Sequence, residues 1–400
     1  IRGIPQMMGL RTQFVHLWVC DQTEKFNDTF EDYGLFTQVE QLNKTALKAH
    51  GLDKSGHLYK VNNFDFHRYE DTIKLADDPD YNQASFEGML EIKGDSDHTK
   101  LIEMLDALND ESQKIDDVLD TYFDTENLVY WLAFQILTGN CDTQNRNCYL
   151  YSPLNSNTWY ILDWDNDGML RKLELSLKGF SDYASWERGV SNYWGNVLFN
   201  RALRSKSFRS ELDRAVKDLR SYMTEVRLAK MIKHYREVTE SLVFALPDID
   251  NLPVTKDEYE QIAAAIPSEI EENYKSFRES YKKPMPFYIG VPQIDNGKLR
   301  INWDASYDFK ARDIRYTVEL ARDYAISDVL FKAEDVLLPE VTCDAPDAGQ
   351  YFVRVRATNS DGYTQDAFDY YVTDDGKHYG MKCFYVQDGG KVVEDTYEEG

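Results

Sequence analysis

Long apolar stretches are missing from this 400-residue chain. A membrane-spanning helix needs about 20 consecutive apolar residues, and no segment approaches that length. No signal-peptide pattern is visible either, although neither absence decides the compartment, because the chain opens at Ile1 and not at a methionine. We therefore expect no integral membrane segment in this chain.

Cysteine is also scarce. The five cysteines form no C-x-x-C pair and no zinc-binding spacing. Cys141 and Cys148 lie close enough in sequence for a bridge, and two buried thiols are an equal alternative. The odd count leaves at least one thiol outside any disulfide.

Positive charge is in deficit, with 45 Lys and Arg against 70 Asp and Glu and a formal net charge of −25. This balance repels nucleic acids and anionic membrane surfaces, so we expect neither as the main partner. Hydrophobic residues make up 42% of the chain and aromatic residues 14%, which is enough for sizeable cores. The length suggests two domains.

The segment from Asp124 to Gly168 holds the strongest functional pattern. Asp124 is a suitable N-cap for an apolar helix that ends at Gly139. A polar loop follows, and two β-prone runs separated by the turn-rich SPLNSN predict a hairpin. The second run leads into Asp163, Asp165 and Asp167. The hairpin can fold this acidic strand end back beside the polar loop, which suits a site for metal and phosphate.

Asp142 and Asn147 in the polar loop have the D-x-x-x-x-N spacing of a protein-kinase catalytic loop. In such a loop the aspartate accepts the proton of the attacking hydroxyl and the asparagine binds one Mg²⁺. An aspartate after the next hairpin binds Mg²⁺ on the nucleotide phosphates. Magnesium completes its shell with water and phosphate, so two protein ligands on separate segments are enough. This spacing often arises by chance, so it indicates a kinase site only together with the surrounding motifs.

Those motifs are GNCDTQNRNCYLY, then TWYILDWDNDG and, upstream, DYGLFTQVEQLNKTALKAH with GHLYK after it. Together they resemble the signatures of the spore-coat protein H (CotH) kinase family, an atypical, secreted, bacterial branch of the protein-kinase-like fold. The family patterns are G-N-x-D, N-Y-Y-L-Y, W-x-x-x-P-W-D-x-D, Y-G-L-Y-x-x-V-E and G-N-L-Y-K. The resemblance covers about residues 1–283 and is close at the motifs.

The resemblance implies roles for individual residues. Asp142 matches the catalytic aspartate, and Asn147 and Asp165 match the metal ligands. Asp167 ends the same motif and is a further candidate ligand, whereas Asp163 stands where the family usually has proline, which leaves its role open.

Two further residues concern the nucleotide. Glu40 ends the strand that leads into the hinge beside the adenine, and Lys60 is a substitute for the phosphate-binding lysine. The family's R-G-N-S strand and the lysine-bearing segment before it do not occur in this chain, so we expect an incomplete N-lobe.

The resemblance implies an atypical secreted protein kinase that transfers the ATP γ-phosphoryl group to Ser or Thr hydroxyls of a protein substrate. Its cofactors are ATP and Mg²⁺ or Mn²⁺, with Ca²⁺ as an alternative cation. It implies an extracytoplasmic setting, either secreted or anchored to the cell surface through a missing N-terminal segment. The alternative in a different class is a non-catalytic surface scaffold or adhesion protein with a kinase-like binding lobe.

The acidic strand end also fits the EF-hand calcium loop D-x-D-x-D-G-x₅-E, completed by Gly168 and Glu174. An EF-hand needs an amphipathic helix before its first aspartate, but TWYIL predicts a strand there. The plainest alternative is that these acidic residues only solvate a turn.

The remaining pattern predicts an α+β chain. An atypical protein-kinase-like domain with an incomplete N-lobe is followed by an antiparallel β-sandwich. The predicted elements of the first part are strands at 13–21 and 33–39, a helix at 41–50, an amphipathic helix within 95–120, helices within 197–245 and a helix at 256–281 interrupted at Pro267.

An aromatic segment, residues 176–196, follows the acidic strand end. Trp186, Tyr193 and Trp194 could stack on a substrate or pack in a core, and we favour a core position for at least two of the three.

Beyond Pro284, alternating runs separated by polar turns predict the sandwich. Trp303 and the pattern from Tyr351 to Asn359 resemble a fibronectin type III module over about residues 286–374, with Trp303 in its core. The predicted domains are 1–283 (kinase-like), 284–375 (sandwich) and 376–400 (a short hairpin or mobile acidic tail).

Overall fold

A computed structural model describes residues 3–23, 28–178, 184–374 and 376–395. Helices and antiparallel sheets both contribute to it, which confirms the predicted α+β class. No helix in these described ranges is both long enough and apolar enough to cross a membrane.

The chain divides by its contacts into two compact units. One contains Ile1–Ser181 and Asn196–Tyr274, and the other contains Asp182–Gly195 and Lys275–Gly400. The domain limits 1–283, 284–375 and 376–400 stay a prediction from the sequence.

The first unit opens with an antiparallel hairpin formed by β1 (Thr12–Val19) and β2 (Glu31–Val39), as predicted. A two-stranded hairpin alone is only marginally stable, so β1 and β2 need contacts with other elements of the unit. The carboxylate of Asp248, in a short 3₁₀ helix, accepts a hydrogen bond of 3.0 Å from the amide of Leu35. This bond fixes β2 to a helical part of the same unit.

A four-stranded antiparallel sheet follows in the order β4-β3-β5-β6. Its register places Val61, Cys148 and Asp163 in one row across three strands. Successive side chains of a strand alternate between faces, so Tyr149 and Leu162 point to the opposite face. There they pack against α1 (Lys44–Ala49). The strands are β3 (His57–Val61), β4 (Leu90–Ile92), β5 (Cys148–Ser152) and β6 (Tyr160–Asp163).

The other face of this sheet meets α5 (Thr125–Thr138), the predicted apolar helix. Asp124 caps it by accepting a hydrogen bond of 2.8 Å from the amide of Asn127, and Gly139 ends it in the left-handed conformation with φ of 66°. Every residue from Asn127 to Thr138 is buried. The helix is therefore the central element of the first unit, with β6 on one side and α8 on another.

Shorter helices surround this centre. Residues 95–120 form two helices and not one. The helices are α2 (Gln83–Met89), α3 (Thr99–Asn109), α4 (Ile115–Tyr122), α6 (Lys172–Leu177), α7 (Val197–Arg204), α8 (Lys206–Tyr222), α9 (Glu225–Val243) and α10 (Lys256–Ser280).

The interruption predicted at Pro267 is wrong, because α10 continues through this residue. A proline inside a helix removes one backbone donor and leaves a carbonyl without its usual partner. Near this position the hydroxyl of Ser268 donates to the carbonyl of Ala265 at 2.9 Å, and Pro267 itself is buried. The carbonyl that loses its donor is that of Ala263, so the Ser268 bond does not replace it, and the burial of Pro267 is what offsets part of the proline's cost.

The second unit contains the predicted antiparallel β-sandwich. One sheet has the order β10-β9-β12-β16-β17, with β13 beside β12, and the other has the order β11-β8-β7. Trp303 is 4% exposed and packs edge to face on Tyr316, with 5.2 Å between ring centroids, so its predicted core position is confirmed. The strands are β7 (Gln293–Asp295), β8 (Lys298–Asn302), β9 (Ile314–Ala321), β10 (Val329–Val336), β11 (Glu340–Asp344), β12 (Gly349–Asn359), β13 (Thr364–Asp366), β14 (Tyr370–Thr373), β15 (Gly376–Tyr379), β16 (Met381–Val386) and β17 (Val392–Glu394).

The segment predicted as a short hairpin or mobile tail contains an antiparallel hairpin of β16 and β17, and β16 lies between β12 and β17 in the sheet. β16 pairs with β12 from Met381 to Val386, and Phe384 is fully buried in the sandwich core. β14 and β15 form a separate two-stranded sheet. Residues 396–400 lie outside the described part of the chain.

The described residues 184–195 of the aromatic segment belong to the second unit. Tyr193 and Trp194 are 1% and 6% exposed, which confirms the core position expected for at least two of the three aromatic residues. Trp186 donates through Nε1 to the carbonyl of Ala367 at 3.2 Å and packs on Phe368. None of these three rings is placed as a free stacking surface for a substrate.

Two buried histidines lie near β3 in the first unit. His98 is fully buried, stacks on Phe86 at 4.1 Å and shares hydrogen bonds with the hydroxyls of Tyr59 (2.9 Å) and Tyr81 (3.2 Å). His57 is 2% exposed, and its Nδ1 has no hydrogen-bond partner within the described ranges.

Burial lowers the pKa of both imidazoles. The charge of Lys100 lowers the pKa of His57 further, whereas Asp95 and Asp97 raise it by a smaller amount. Both side chains therefore favour their neutral forms in the folded protein.

This burial predicts a loss of stability in mild acid. The folded pKa values lie below the ordinary 6.5, so the unfolded chain binds more protons as the pH falls below that value. The stabilising contribution is complete above pH 6.5 and decreases as the pH falls toward the folded pKa values. Urea unfolding, followed through the fluorescence of buried Trp159, should give a lower midpoint at pH 5.5 than at pH 7.5. His57→Phe should reduce the difference, and His67→Gln, at an exposed position, should not. An equal pH dependence in all three proteins would refute this assignment.

Candidate functional site

The polar loop after α5 begins from a fixed geometry. Gly139 adopts a positive φ, and the next residue, Asn140, is 2% exposed. The backbone amide of Asn140 donates to the carbonyl of Gln135 at 3.1 Å. The helix end therefore sets the direction in which the loop leaves.

Asp142 and Asn147 meet across this loop. Nδ2 of Asn147 donates to Oδ2 of Asp142 at 2.8 Å, and Nε of Arg146 lies 3.4 Å from Oδ1. The side chain of Asp142 is 53% exposed. Asn147 has a φ of 58°, a left-handed conformation that asparagine tolerates better than most residues. Because its NH₂ group faces Asp142, the amide oxygen is the atom that would face a cation.

Neighbouring segments hold the loop on both sides. The amide of Phe64 donates to the carbonyl of Asn145 at 2.7 Å, and Nδ2 of Asn145 donates to Oδ1 of Asn63 at the same distance. Nδ2 of Asn196 donates to the carbonyl of Gln144, also at 2.7 Å. Such bonds place the polar loop before any ligand binds.

The acidic strand end divides into an inward and an outward part. Asp163, the last residue of β6, is 4% exposed, whereas Asp165 and Asp167 are exposed. Asp163 accepts hydrogen bonds from Nε2 of Gln135 (2.8 Å) and Nδ2 of Asn166 (2.5 Å), and burial raises its pKa. Asp163 is thus placed as a buried acceptor and not at the surface of the site.

The candidate ligands influence one another's charge. The pKa of Asp165 lies above its ordinary value, first because of partial burial and then because of the carboxylates of Asp167 and Asp142. The ammonium group of Lys60, on β3, lowers it. Asp165 also has a φ of 56°, a second strained position among the predicted site residues. The fold therefore brings Asp142, Asp165, Asp167 and Lys60 into one electrostatic neighbourhood.

The donor set fits a hard cation that keeps water or phosphate oxygens in its shell. The carboxylates of Asp165 and Asp167 and the amide of Asn147 supply oxygen ligands. Asn166 adds a buried amide oxygen that has no hydrogen-bond partner in the described part of the chain. Among the described residues no three His, Cys, Asp or Glu side chains converge on one point as in a closed site. The arrangement suits magnesium or manganese bound together with phosphate, and the individual ligand roles stay predictions.

The calcium-loop alternative lacks support in this geometry. A strand and not a helix precedes Asp163. Glu174, its expected closing ligand, is hydrogen bonded to Arg171 (2.9 Å) and Lys178 (2.7 Å), and chiefly Arg171 lowers its pKa to about 2. The carboxylate is therefore already engaged by two cations.

Glu40 follows β2 directly, as expected for a residue at the hinge. Its carboxylate accepts hydrogen bonds from Nε of Arg11 (2.8 Å) and interacts with Nε2 of His50 (2.7 Å). Arg11 contributes most to lowering its pKa to about 2. The side chain acts here as a local link, and its contact with a nucleotide stays a prediction.

The sequence did not single out Gln135, Asn140, Asn166 or Arg146. Gln135 carried a usable signal, because it is an amide in an otherwise apolar helical run. Asn140 belongs to the G-N-x-D motif, but the motif assigns it no role. Cys148 is a buried thiol and Cys141 a partly buried one, and the two form no disulfide in the described part of the chain.

The family model of CotH kinase proteins matches residues 1–277, which includes every motif quoted above from the first unit. No curated protein matches the sequence. Four chains of solved structure match, among them the twitchin kinase region from C. elegans (Fn31-NL-kin-CRD-Ig26). That similarity has 19% identity and a TM-score of 0.18, and covers 24% of this chain and 20% of the twitchin chain. A TM-score this low supports no conclusion about the fold or function of this chain.

The positive φ of Gly139, at the C-terminal end of α5, predicts that a substitution at this residue lowers the free energy of unfolding. A residue with a Cβ pays about 1–2 kcal/mol in the left-handed conformation. A Cβ at Gly51, also at positive φ, meets nothing within 4 Å, whereas one at Gly139 would lie 2.6 Å from Nδ2 of Asn273. Gly139→Ala should therefore lower the free energy of unfolding more than the matched Gly51→Ala, as measured by urea titration. Equal losses would contradict the close packing at Gly139.

Proposed function

Because the chain belongs to the CotH kinase family, we propose that it transfers the γ-phosphoryl group of ATP to Ser or Thr hydroxyls of a protein substrate with a divalent cation. The observation that carries this proposal is the placement of Asp142 and Asn147 on one pre-positioned loop, electrostatically coupled to Asp165 on the neighbouring strand end. Phosphoryl transfer depends mostly on positioning and electrostatics, which this arrangement supplies.

In the proposed reaction the substrate hydroxyl oxygen forms a bond to the γ-phosphorus while the bond to the β–γ bridging oxygen breaks, releasing ADP. Asp142 accepts the hydroxyl proton. Asn147 and Asp165 hold the cation, with Asp167 as a further ligand. When bound, the cation neutralises charge that develops on the phosphate oxygens.

Lys60 provides the matching positive charge from the protein. It lies on β3, and its charge lowers the pKa of Asp165. The ammonium group would offset phosphate charge as the phosphate-binding lysine does in other kinases.

The setting we propose is extracytoplasmic, secreted or at the cell surface, with a protein as the partner. The net charge of −25 supports the exclusion of nucleic acid as a substrate. The sandwich in the second unit is a common spacer in secreted proteins, which supports the same setting by association.

One observation favours a second candidate, a lobe that binds nucleotide without transferring phosphate. Arg146 and Asn147 occupy the two carboxylate oxygens of Asp142. Each partner stabilises the ionised carboxylate and so makes Asp142 a weaker base toward the substrate hydroxyl. The Arg146 pair is half exposed and therefore weak, which is why we prefer the kinase.

The kinase proposal predicts different defects for its two aspartates. Asp142→Ala should lower kcat on the order of 10²-fold or more and leave metal-dependent ATP binding in place. Asp165→Ala should abolish metal-dependent ATP binding as well. Radiolabelled phosphate transfer and calorimetry with Mn²⁺ and ATP measure the two effects. Asp71→Ala, at an exposed acidic position away from the loop, is the control. Metal-dependent ATP binding with no transfer in the unaltered protein would favour the binding lobe, and full transfer by Asp142→Ala would exclude Asp142 as the base.

The role of Lys60 has its own test. Lys60→Met should weaken ATP binding about tenfold or more, equivalent to about 1.4 kcal/mol, because a charge beside the phosphates is lost. Lys54→Met removes the same charge from an exposed position nearby in sequence and should have little effect. Calorimetry measures the ATP affinity of both variants. Equal affinities would show that Lys60 does not contribute to nucleotide binding.

A further inference from the structure

Buried amide and carboxylate groups connect the catalytic loop to the acidic strand end. Gln135, on α5, is fully buried between them. Its Nε2 donates to Oδ1 of Asp163 at 2.8 Å, and its Oε1 accepts from Nδ2 of Asn140 at 3.1 Å. One side chain thus contacts both segments that carry the predicted site residues.

The connection extends beyond Gln135 in both directions. Toward the catalytic loop, Oδ1 of Asn140 lies 3.5 Å from the amide of Asp142. Toward the acidic strand end, Nδ2 of Asn166 donates to Oδ2 of Asp163 at 2.5 Å. Gly168 packs closely against Asn140, because a Cβ at position 168 would lie 2.7 Å from Oδ1 of Asn140. These contacts run from the amide of Asp142 to Asn166, the residue between Asp165 and Asp167.

Burial makes these hydrogen bonds consequential. A buried polar group that loses its partner costs about 1–3 kcal/mol, and more when it is charged. Both oxygens of Asp163 are engaged by amide donors, so this carboxylate does not face the cation. Its position also explains why the residue is acidic: only an acceptor with two oxygens satisfies Gln135 and Asn166 at once.

We propose that Gln135 and Asp163 are positioning residues that hold the Asp142 loop and the Asp165 loop in one fixed arrangement. Catalytic groups must be placed within about 0.5 Å of their productive geometry, so a link between the two loops affects both metal binding and transfer. The metal part of this inference rests on the proposed function. The structural part does not, because it concerns the loops of the protein without ligand.

A polarity swap tests the link. In Asp163→Asn the new amide can accept from Asn166 through its oxygen, but its NH₂ then faces the NH₂ of Gln135, and that bond is lost. In the double variant Gln135→Glu with Asp163→Asn, residue 163 donates and residue 135 accepts. Residue 135 still accepts from Asn140, so every hydrogen bond is restored with the direction of one reversed.

A control is available on the same helix. Asn127 also joins α5 to β6, through its Oδ1 to the amide of Ile161 (2.8 Å) and its Nδ2 to the carbonyl of Ile161 (3.2 Å). Asn127→Leu disturbs the same helix and strand but leaves Gln135 and Asp163 unchanged. It separates a general loss of stability from a loss of loop positioning.

Two measurements apply to each protein. One is amide hydrogen exchange, without metal, at Asn140, Asp142 and Leu170, whose amide donates to the carbonyl of Thr138 at the end of α5 (2.9 Å). The other is Mn²⁺ binding in the presence of ATP, measured by calorimetry. Asp163→Asn should raise exchange at these amides about tenfold and weaken Mn²⁺ binding by a similar factor, equivalent to the loss of about one buried hydrogen bond. The double variant should return both to within about threefold of the unaltered protein. Asn127→Leu should change neither. Asn166→Ala, at a half-buried position, should shift both measurements in the same direction if Asp163→Asn fails to fold.

Each contrary outcome has a distinct meaning. Unchanged exchange in Asp163→Asn or in Asn166→Ala overturns the positioning role. A double variant that remains as impaired as the single variant shows that the charge at position 163 matters, and also overturns it. Absence of Mn²⁺-dependent ATP binding in the unaltered protein counts against the proposed function, while the exchange measurement still decides the positioning role.

Discussion

The burial of Asp163 against α5 is the constraint on which the candidate site depends. A carboxylate in the interior needs hydrogen-bond donors at both oxygens, and here Gln135 and Asn166 provide them. The same glutamine accepts from Asn140 at the start of the polar loop. One buried side chain on the central helix therefore couples a helix end, a loop and a strand end.

The position of the strand end decides which acidic residues can reach a ligand. Asp163 is the last residue of β6 and faces the helix, whereas Asp165, after a left-handed turn, is exposed near Asp142 and Asp167. The negative charges of Asp167 and Asp142 raise the pKa of Asp165, and the positive charge of Lys60 offsets only part of this increase. A site of this kind gains most from a divalent cation and bound phosphate, which fits a member of the CotH kinase family.

Periodicity and capping predicted much of the fold correctly. The apolar run after Asp124 formed α5, the two β-prone runs formed β5 and β6, and the alternating segments beyond Pro284 formed a sandwich. The errors came where tertiary packing offsets a local preference. α10 continues through Pro267. The hairpin expected as one alternative for residues 376–400 does form, but packing draws its first strand, β16, into the sheet beside β12, which local composition did not indicate.

The sequence by itself determined the identities and order of the site residues: Asp142 and Asn147 at kinase spacing, and an acidic strand end after a hairpin. It did so because helix caps, β-propensity and motif spacing are local properties of the chain. Only the tertiary structure decided that Asp163 is buried while Asp165 is exposed, that the charge of Lys60 acts on Asp165, and that Gln135 joins the two loops. Those relations depend on strand register and on the packing of α5 against β6, which connect residues far apart in sequence.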